Sequence, residues 1–205
     1  LRAADGAQSL EQRLREGDAR LTDAALIPGD RDGAVALLYG SRRLMAAVPG
    51  AKGPRFDVEL PAFAERILAA PGRIVPVPSA MDAKAPKAQA FDAATGALAW
   101  ESTIPTLPAA RLLVNRTALF ILQDAWGNSP ARIRAVRLDD GRDRFHVSNS
   151  RFDRVASSAL VSERHLVLAA PRATEAWVLD ARTGKVRRRI EPPRGVPLES
   201  ARAVE

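Results

Sequence analysis

His146 and His165 are the chain's two histidines, and with no cysteine present they would have to anchor any metal bound through nitrogen or sulfur. Each sits in a strand-like apolar context without an Asp or Glu at ligand spacing, whereas a metal centre or general base needs converging partners. Both are read as structural or surface residues. Asp30-Arg31-Asp32-Gly33 is similar to the opening of a calcium loop. Its third acidic position and distal Glu are missing, and calcium takes about six or more oxygens, so this is read as a turn. No Gly-x-Ser-x-Gly elbow, phosphate loop or His-Glu-x-x-His occurs. Asn115-Arg116-Thr117 fits an N-glycosylation acceptor, but so short a pattern carries no weight alone. The sequence therefore presents no catalytic residue and no metal ligand. Zero cysteines also exclude disulfides and thiolate chemistry, without fixing a redox compartment.

The formal charge of +7 invites a nucleic-acid reading. Against it, the basic residues are mostly arginines scattered along the chain, a usage that a GC-rich genome favours. The densest run is Arg187-Arg188-Arg189, too short to be a groove by itself, and clustered charge is what makes a nucleic-acid footprint. Nucleic acid is not the expected partner. No stretch approaches the roughly 18 consecutive apolar residues of a membrane-spanning helix. With 46% apolar and 27% charged residues in 205, the chain can bury a core and is not compositionally disordered.

What organises the chain is a repeat. Its fullest unit is Ala90-Phe91-Asp92-Ala93-Ala94-Thr95-Gly96-Ala97-Leu98-Ala99-Trp100. Val178-Leu179-Asp180-Ala181-Arg182-Thr183-Gly184 keeps the Asp-x-x-Thr-Gly core. The stretch from Ala135 to Gly141 keeps the alanine and the turn glycine, and places Phe145 where Trp100 stands. A decayed copy opens the chain at Leu1–Gly6, and a further one runs from Ala47 to Gly53. Glycines 6, 53, 96, 141 and 184 thus recur at intervals of 43–47 residues, a period that belongs to four-stranded blades among other arrays.

Local patterning agrees with strands. Ala34–Tyr39, Arg73–Val77, Ala118–Leu122 and His165–Leu168 are short, β-rich runs bounded by Gly, Pro, Asp and Ser. Fifteen prolines would break most long helices. Residues 7–21 have a helix-compatible composition, but the repeat phase favours a strand ending near Leu14. In the turns, glycine can take positive φ freely while Asp and Thr side chains bond nearby amides, and Asp139-Asp140-Gly141 reads as a tight hairpin.

The pattern Ala-x-Asp-x-x-Thr-Gly-x-x-x-Trp at 90–100 resembles the tryptophan-docking motif of pyrroloquinoline-quinone-type (PQQ-like) β-propeller repeats, in the quinoprotein-like superfamily. The resemblance implies an all-β, WD40-like architecture of four-stranded antiparallel blades, about four of them here, as a fragment of a seven- or eight-bladed ring. Residues 1–14 would end one blade, about 22–60, 61–104, 105–149 and 150–191 would be successive blades, and 192–205 the start of the next or a tail. Trp100 would dock on the neighbouring blade, with Ala90 and Gly96 as its packing and turn positions. Phe145 would substitute for it one blade later, and Arg188 occupies the corresponding place after Gly184.

The family contains quinone-dependent alcohol and sugar dehydrogenases and also non-catalytic propellers, among them the lipoprotein of the outer-membrane assembly machinery. No inner-strand acidic set for a quinone and calcium stands out here. The expectation is a non-catalytic scaffold or protein-binding domain with no cofactor; PQQ and calcium enter only under the alternative of a dehydrogenase. An extracytoplasmic, periplasmic location follows from the resemblance alone. In this frame the loops between second and third strands, Ser79–Ala88, Gln123–Ala131 and Ala170–Glu175, emerge together on one face. Such loop clusters on a rigid scaffold are where binding resides. Lys84, Lys87, Asp124, Trp126, Asn128 and Arg172 are the candidate residues for contact with a protein or other ligand.

Overall fold

A computed structural model describes residues 20–79, 87–104, 110–125, 128–149, 152, 159–169 and 175–191. The chain divides into two units, Leu1–Thr106 and Leu107–Glu205. Among the described residues each contains two antiparallel four-stranded sheets, and every sheet is a meander of consecutive strands. The opening segment up to residue 19, with its expected strand and decayed repeat, lies outside the described residues, as do residues 192–205.

In the first unit, the first sheet consists of β1 (Leu21–Leu26), β2 (Val35–Tyr39), β3 (Arg43–Ala47) and β4 (Phe56–Glu59), and the second of β5 (Ala64–Ala70), β6 (Arg73–Pro78), β7 (Lys87–Asp92) and β8 (Leu98–Thr103). In the second unit, the third sheet is β9 (Ala110–Val114), β10 (Ala118–Gln123), β11 (Ala131–Arg137) and β12 (Asp143–Asn149); the fourth is β13 (Ala159–Val161), β14 (His165–Ala169), β15 (Ala176–Asp180) and β16 (Val186–Ile190). The four apolar runs of the sequence are the second strands β2, β6, β10 and β14. A run such as Ala-Leu-Phe-Ile-Leu-Gln in β10 is buried along its whole length, as expected of a strand covered on both faces.

The repeated hairpin joins the third and fourth strand of each sheet, always in one register. Ala46 faces Phe56, Ala90 faces Trp100, Ala135 faces Phe145 and Val178 faces Arg188. Each pair is separated by ten residues. In the second and fourth sheets the turn is built by one carboxylate. Asp92 Oδ1 accepts the amides of Ala94 and Thr95 and the Thr95 hydroxyl, each at 3.0 Å. Asp180 Oδ1 does the same for Arg182, Thr183 and the Thr183 hydroxyl at 2.9–3.0 Å. Burial alone would raise the Asp92 carboxyl, but Thr95, the turn amides and Arg73 hold it below its ordinary value. The third sheet reaches the same backbone with exchanged chemistry. Arg137 stands at the Asp position and pairs with Asp140, which stands at the Thr position and accepts the Arg142 amide at 3.1 Å.

The turn glycines are required twice over. Gly96 and Gly184 have φ of 73° and 70°, a conformation L side chains avoid. They also lie against an aromatic ring of the preceding sheet: a Cβ on Gly96 would sit 2.6 Å from the Phe56 ring, and one on Gly184 2.6 Å from Phe145 and 2.7 Å from Val147. The docking contact therefore exists within each unit, made by Phe56 and Phe145. Arg188, at the same register in the fourth sheet, is exposed.

The first copy of the repeat differs from its sequence reading. Gly53 is not the turn glycine, since Gly50, at φ 80°, takes the left-handed conformation in that hairpin. Lys52 stands at the position of Gly96, six residues after the strand alanine. Pro49 stands where Ala93, Leu138 and Ala181 donate their amides to Gly72, Thr117 and Arg164. Proline has no N–H, so that tie between the two turns of a sheet is missing there.

Asp30-Arg31-Asp32-Gly33 is a turn between β1 and β2, and a guanidinium occupies it. Arg55 reaches Asp30 at 2.5 Å and Asp32 at 3.0 Å, while Asp30 Oδ1 also accepts the Asp32 and Ala34 amides. The hydrogen bond from Arg55 holds the Asp30 carboxyl at about 2. The clamp ties the β1–β2 turn to the β3–β4 hairpin in the sheet whose hairpin lacks the Asp-Thr turn.

Two predictions follow. Gly184→Ala and Gly96→Ala each combine the positive-φ penalty with overpacking, for a loss of about 2–4 kcal/mol. Gly72→Ala, at φ 71° with nothing within 4 Å, loses only about 1 kcal/mol; urea unfolding curves separate the two classes. Second, because the Asp30 pKa is lowered on folding, its contribution is complete above the unfolded value of about 4 and is lost as pH falls toward 2. In acid titrations followed by circular dichroism, Asp30→Asn should flatten the part of the stability decline that lies between those limits.

Candidate functional site

The second and third strands of the third sheet meet at the loop 124–130, and the chain enters it through Gln123, the last residue of β10. Gln123 is 3% exposed, and its Oε1 has no hydrogen-bond partner among the described residues. A buried acceptor left unpaired costs about 1–3 kcal/mol, so such atoms are rare in folded proteins. It is the first residue of the segment expected to bind, Gln123–Ala131. Asp124 follows it half-buried, and Asn128 lies exposed in the turn. Ala125 packs back on the core of the unit, which anchors the near side of the loop.

Of the other expected contact residues, Lys84, Trp126 and Arg172 lie outside the described residues. Lys87 is a correction. It is the first residue of β7 rather than a loop residue, facing Thr103 across the sheet, and its ammonium pairs with Glu101 at 2.5 Å. β7 extends two residues further toward the expected loop than the apolar pattern suggests, because Lys87 and Ala88 pair with Thr103 and Ser102. Of the six candidates, the structure therefore places Asp124 and Asn128 together at one loop.

The sequence reading missed a second feature at the same end of the second unit. Phe152, buried in the link between the third and fourth sheets, meets Trp177 edge-on with centroids 5.5 Å apart. The Arg189 guanidinium lies 5.6 Å from the Trp177 ring on β15 and is ion-paired to Glu175. The first unit carries a simpler version, with Arg42 5.2 Å from the exposed ring of Phe63. A signal for these residues was present: Phe63 and Phe152 each follow a docking phenylalanine, Phe56 and Phe145, by seven positions.

The chemistry available to metals or quinones is limited in the described residues. No group of three or more His, Cys, Asp and Glu side chains converges there. Asp30, Asp92 and Asp180 are held by Arg55, Arg73 and Arg187 respectively. His146 and His165 are exposed on separate strands. Asn115 of the glycosylation tripeptide is buried, donating to the Ser162 carbonyl at 3.0 Å and accepting from the Thr117 and Ala118 amides. It joins two sheets instead of presenting an acceptor. These residues do not supply a donor set for calcium beside a quinone. No helix among the described residues is long and apolar enough to cross a membrane.

No family model matches the sequence, and no curated protein matches it. Solved structures do match the fold. BamB from Moraxella catarrhalis aligns with a TM-score of 0.58 at 15% identity, over 83% of this chain and 50% of that one. The quinohemoprotein alcohol dehydrogenase ADHIIG from Pseudomonas putida HK5 aligns with a TM-score of 0.51 at 16% identity, over 78% of this chain and 33% of that one. The chain thus spans half the length of the first structure and a third of the second. Four meander sheets, the recurrent docking hairpin and these two likenesses together give the chain the fold of the PQQ-like β-propellers.

Proposed function

We propose that this chain is the binding segment of a non-catalytic PQQ-like propeller, engaging a protein partner through the loops between second and third strands. The observation that carries the reading is the stretch between β10 and β11, where Ala125 packs on the core while Asp124 is half-buried beside it and Asn128 is exposed. The Phe152–Trp177–Arg189 stack adds a rigid aromatic and cationic element at the same end, the kind of residue that dominates protein contacts. The likeness to BamB is compatible with a binding role, and the fold alone does not choose a function.

The likeness to a quinohemoprotein dehydrogenase supports a second reading, in which the chain is part of a PQQ-dependent alcohol or sugar dehydrogenase. The two separate by titration of the full protein with PQQ and calcium, followed by absorbance and by dye reduction with alcohols and sugars. The scaffold reading predicts no stoichiometric uptake and no substrate-dependent reduction; uptake with turnover would replace it by the enzyme reading. For the binding face itself, a photo-crosslinker at Asn128 should capture one discrete partner, and the same probe at Asp139, at the other end of the sheet, should not. Equal capture from both positions would contradict the assignment of the face.

A further inference from the structure

The end of the second unit opposite these loops carries an unbalanced set of cations, and their placement follows from hydrogen bonds. Four turns meet there: 115–117, 138–142, 162–164 and 181–185. Asn115 donates to the Ser162 carbonyl, the Arg116 amide to Glu163, the Leu138 amide to Thr117 and the Ala181 amide to Arg164. These bonds lock the tips into one surface. Arg116, Arg164, Arg182 and Lys185 are exposed on it, and none has an acidic partner among the described residues. Arg142, 83% exposed, and Arg144 stand beside them. Of the acids at this end, Asp140 binds Arg137, Asp180 caps its turn and binds Arg187, the exposed Glu163 accepts a backbone amide, and Asp139, 71% exposed, lies 3.2 Å from Arg137.

The fold does not require these cations. The hairpin Asp92-Ala93-Ala94-Thr95-Gly96-Ala97 has the backbone and the capping bonds of Asp180-Ala181-Arg182-Thr183-Gly184-Lys185. The two differ at the solvent-facing positions, where alanines in one are replaced by Arg182 and Lys185 in the other. A structural role would be expected in both copies.

We propose that this end of the second unit is a contact surface for an anionic phospholipid membrane. Guanidinium groups match phosphate oxygens through their forked donors, and cations near an anionic leaflet gain favourable energy individually. The observations favour lipid over nucleic acid. The four turns contain no aromatic side chain on which bases could stack.

The test is co-sedimentation of the full chain with vesicles of phosphatidylcholine alone and of phosphatidylcholine mixed with phosphatidylglycerol. Binding is expected only to the mixed vesicles and should weaken as salt is raised. R164A/R182A/K185A should lose at least roughly tenfold in affinity, at about fivefold per cation, with an unchanged unfolding midpoint, since R182A/K185A gives this hairpin the solvent-facing residues of its counterpart. R20A/R31A/R132A, which removes the same charge elsewhere, should bind as the parent does. Absence of binding to the anionic vesicles, equal loss in both triple variants, or tighter binding to a DNA duplex than to vesicles at the same salt would each overturn the proposal.

Discussion

An aromatic ring pressed on a backbone that has no Cβ is the contact on which the rest of this structure depends. Phe56 on Gly96 and Phe145 on Gly184 bring a side chain of one sheet within van der Waals reach of the next sheet's turn. The ring needs a turn at a fixed distance, the turn needs a residue at positive φ, and close approach excludes any side chain there. In these two hairpins the three demands meet at one residue; the first hairpin keeps the same register with Lys52 at that position. The clusters around Phe120 and Leu38 then fill the space between paired sheets, a burial that supplies most of the stability but does not choose the register.

Side chains around this constraint vary more freely than the backbone does. Asp with Thr closes two of the hairpins, Arg with Asp closes a third, and the first dispenses with both and gains the Arg55 clamp on Asp30 and Asp32. Each solution satisfies the same amides or replaces them by a charge-assisted tie. An orphan backbone group is costly wherever it occurs, while the identity of its partner matters less.

That difference explains how much was legible in the sequence. Asp-x-x-Thr-Gly is a local device, its bonds spanning three residues, so the hairpins at 92–97 and 180–185 and the second strands could be read directly. The first hairpin escapes the motif because Val48, Ala51 and Lys52 stand at the positions of Asp92, Thr95 and Gly96, and only the pairing of Ala46 with Phe56 identifies it. The stack of Phe152, Trp177 and Arg189 joins residues far apart in the chain and outside the repeated motif, so it left only the weak seven-residue spacing as a trace. Lys87 reads as a loop residue because a lysine beside alanines ends an apolar run without ending a strand. Gln123 could not be singled out, since nothing in a sequence distinguishes a glutamine whose oxygen finds a partner from one whose oxygen does not.

The central claim is that ring and glycine act as one unit, and a double-mutant cycle on Phe56 and Gly96 tests it most directly. Phe56→Ala, Gly96→Ala and the double variant would be unfolded in urea and their free energies compared. If the ring is what makes the added Cβ intolerable, the double variant should be less destabilised than the sum of the single ones by about 1–3 kcal/mol. Additive losses would mean that the two residues act independently and that something other than this contact sets the hairpin against its neighbour.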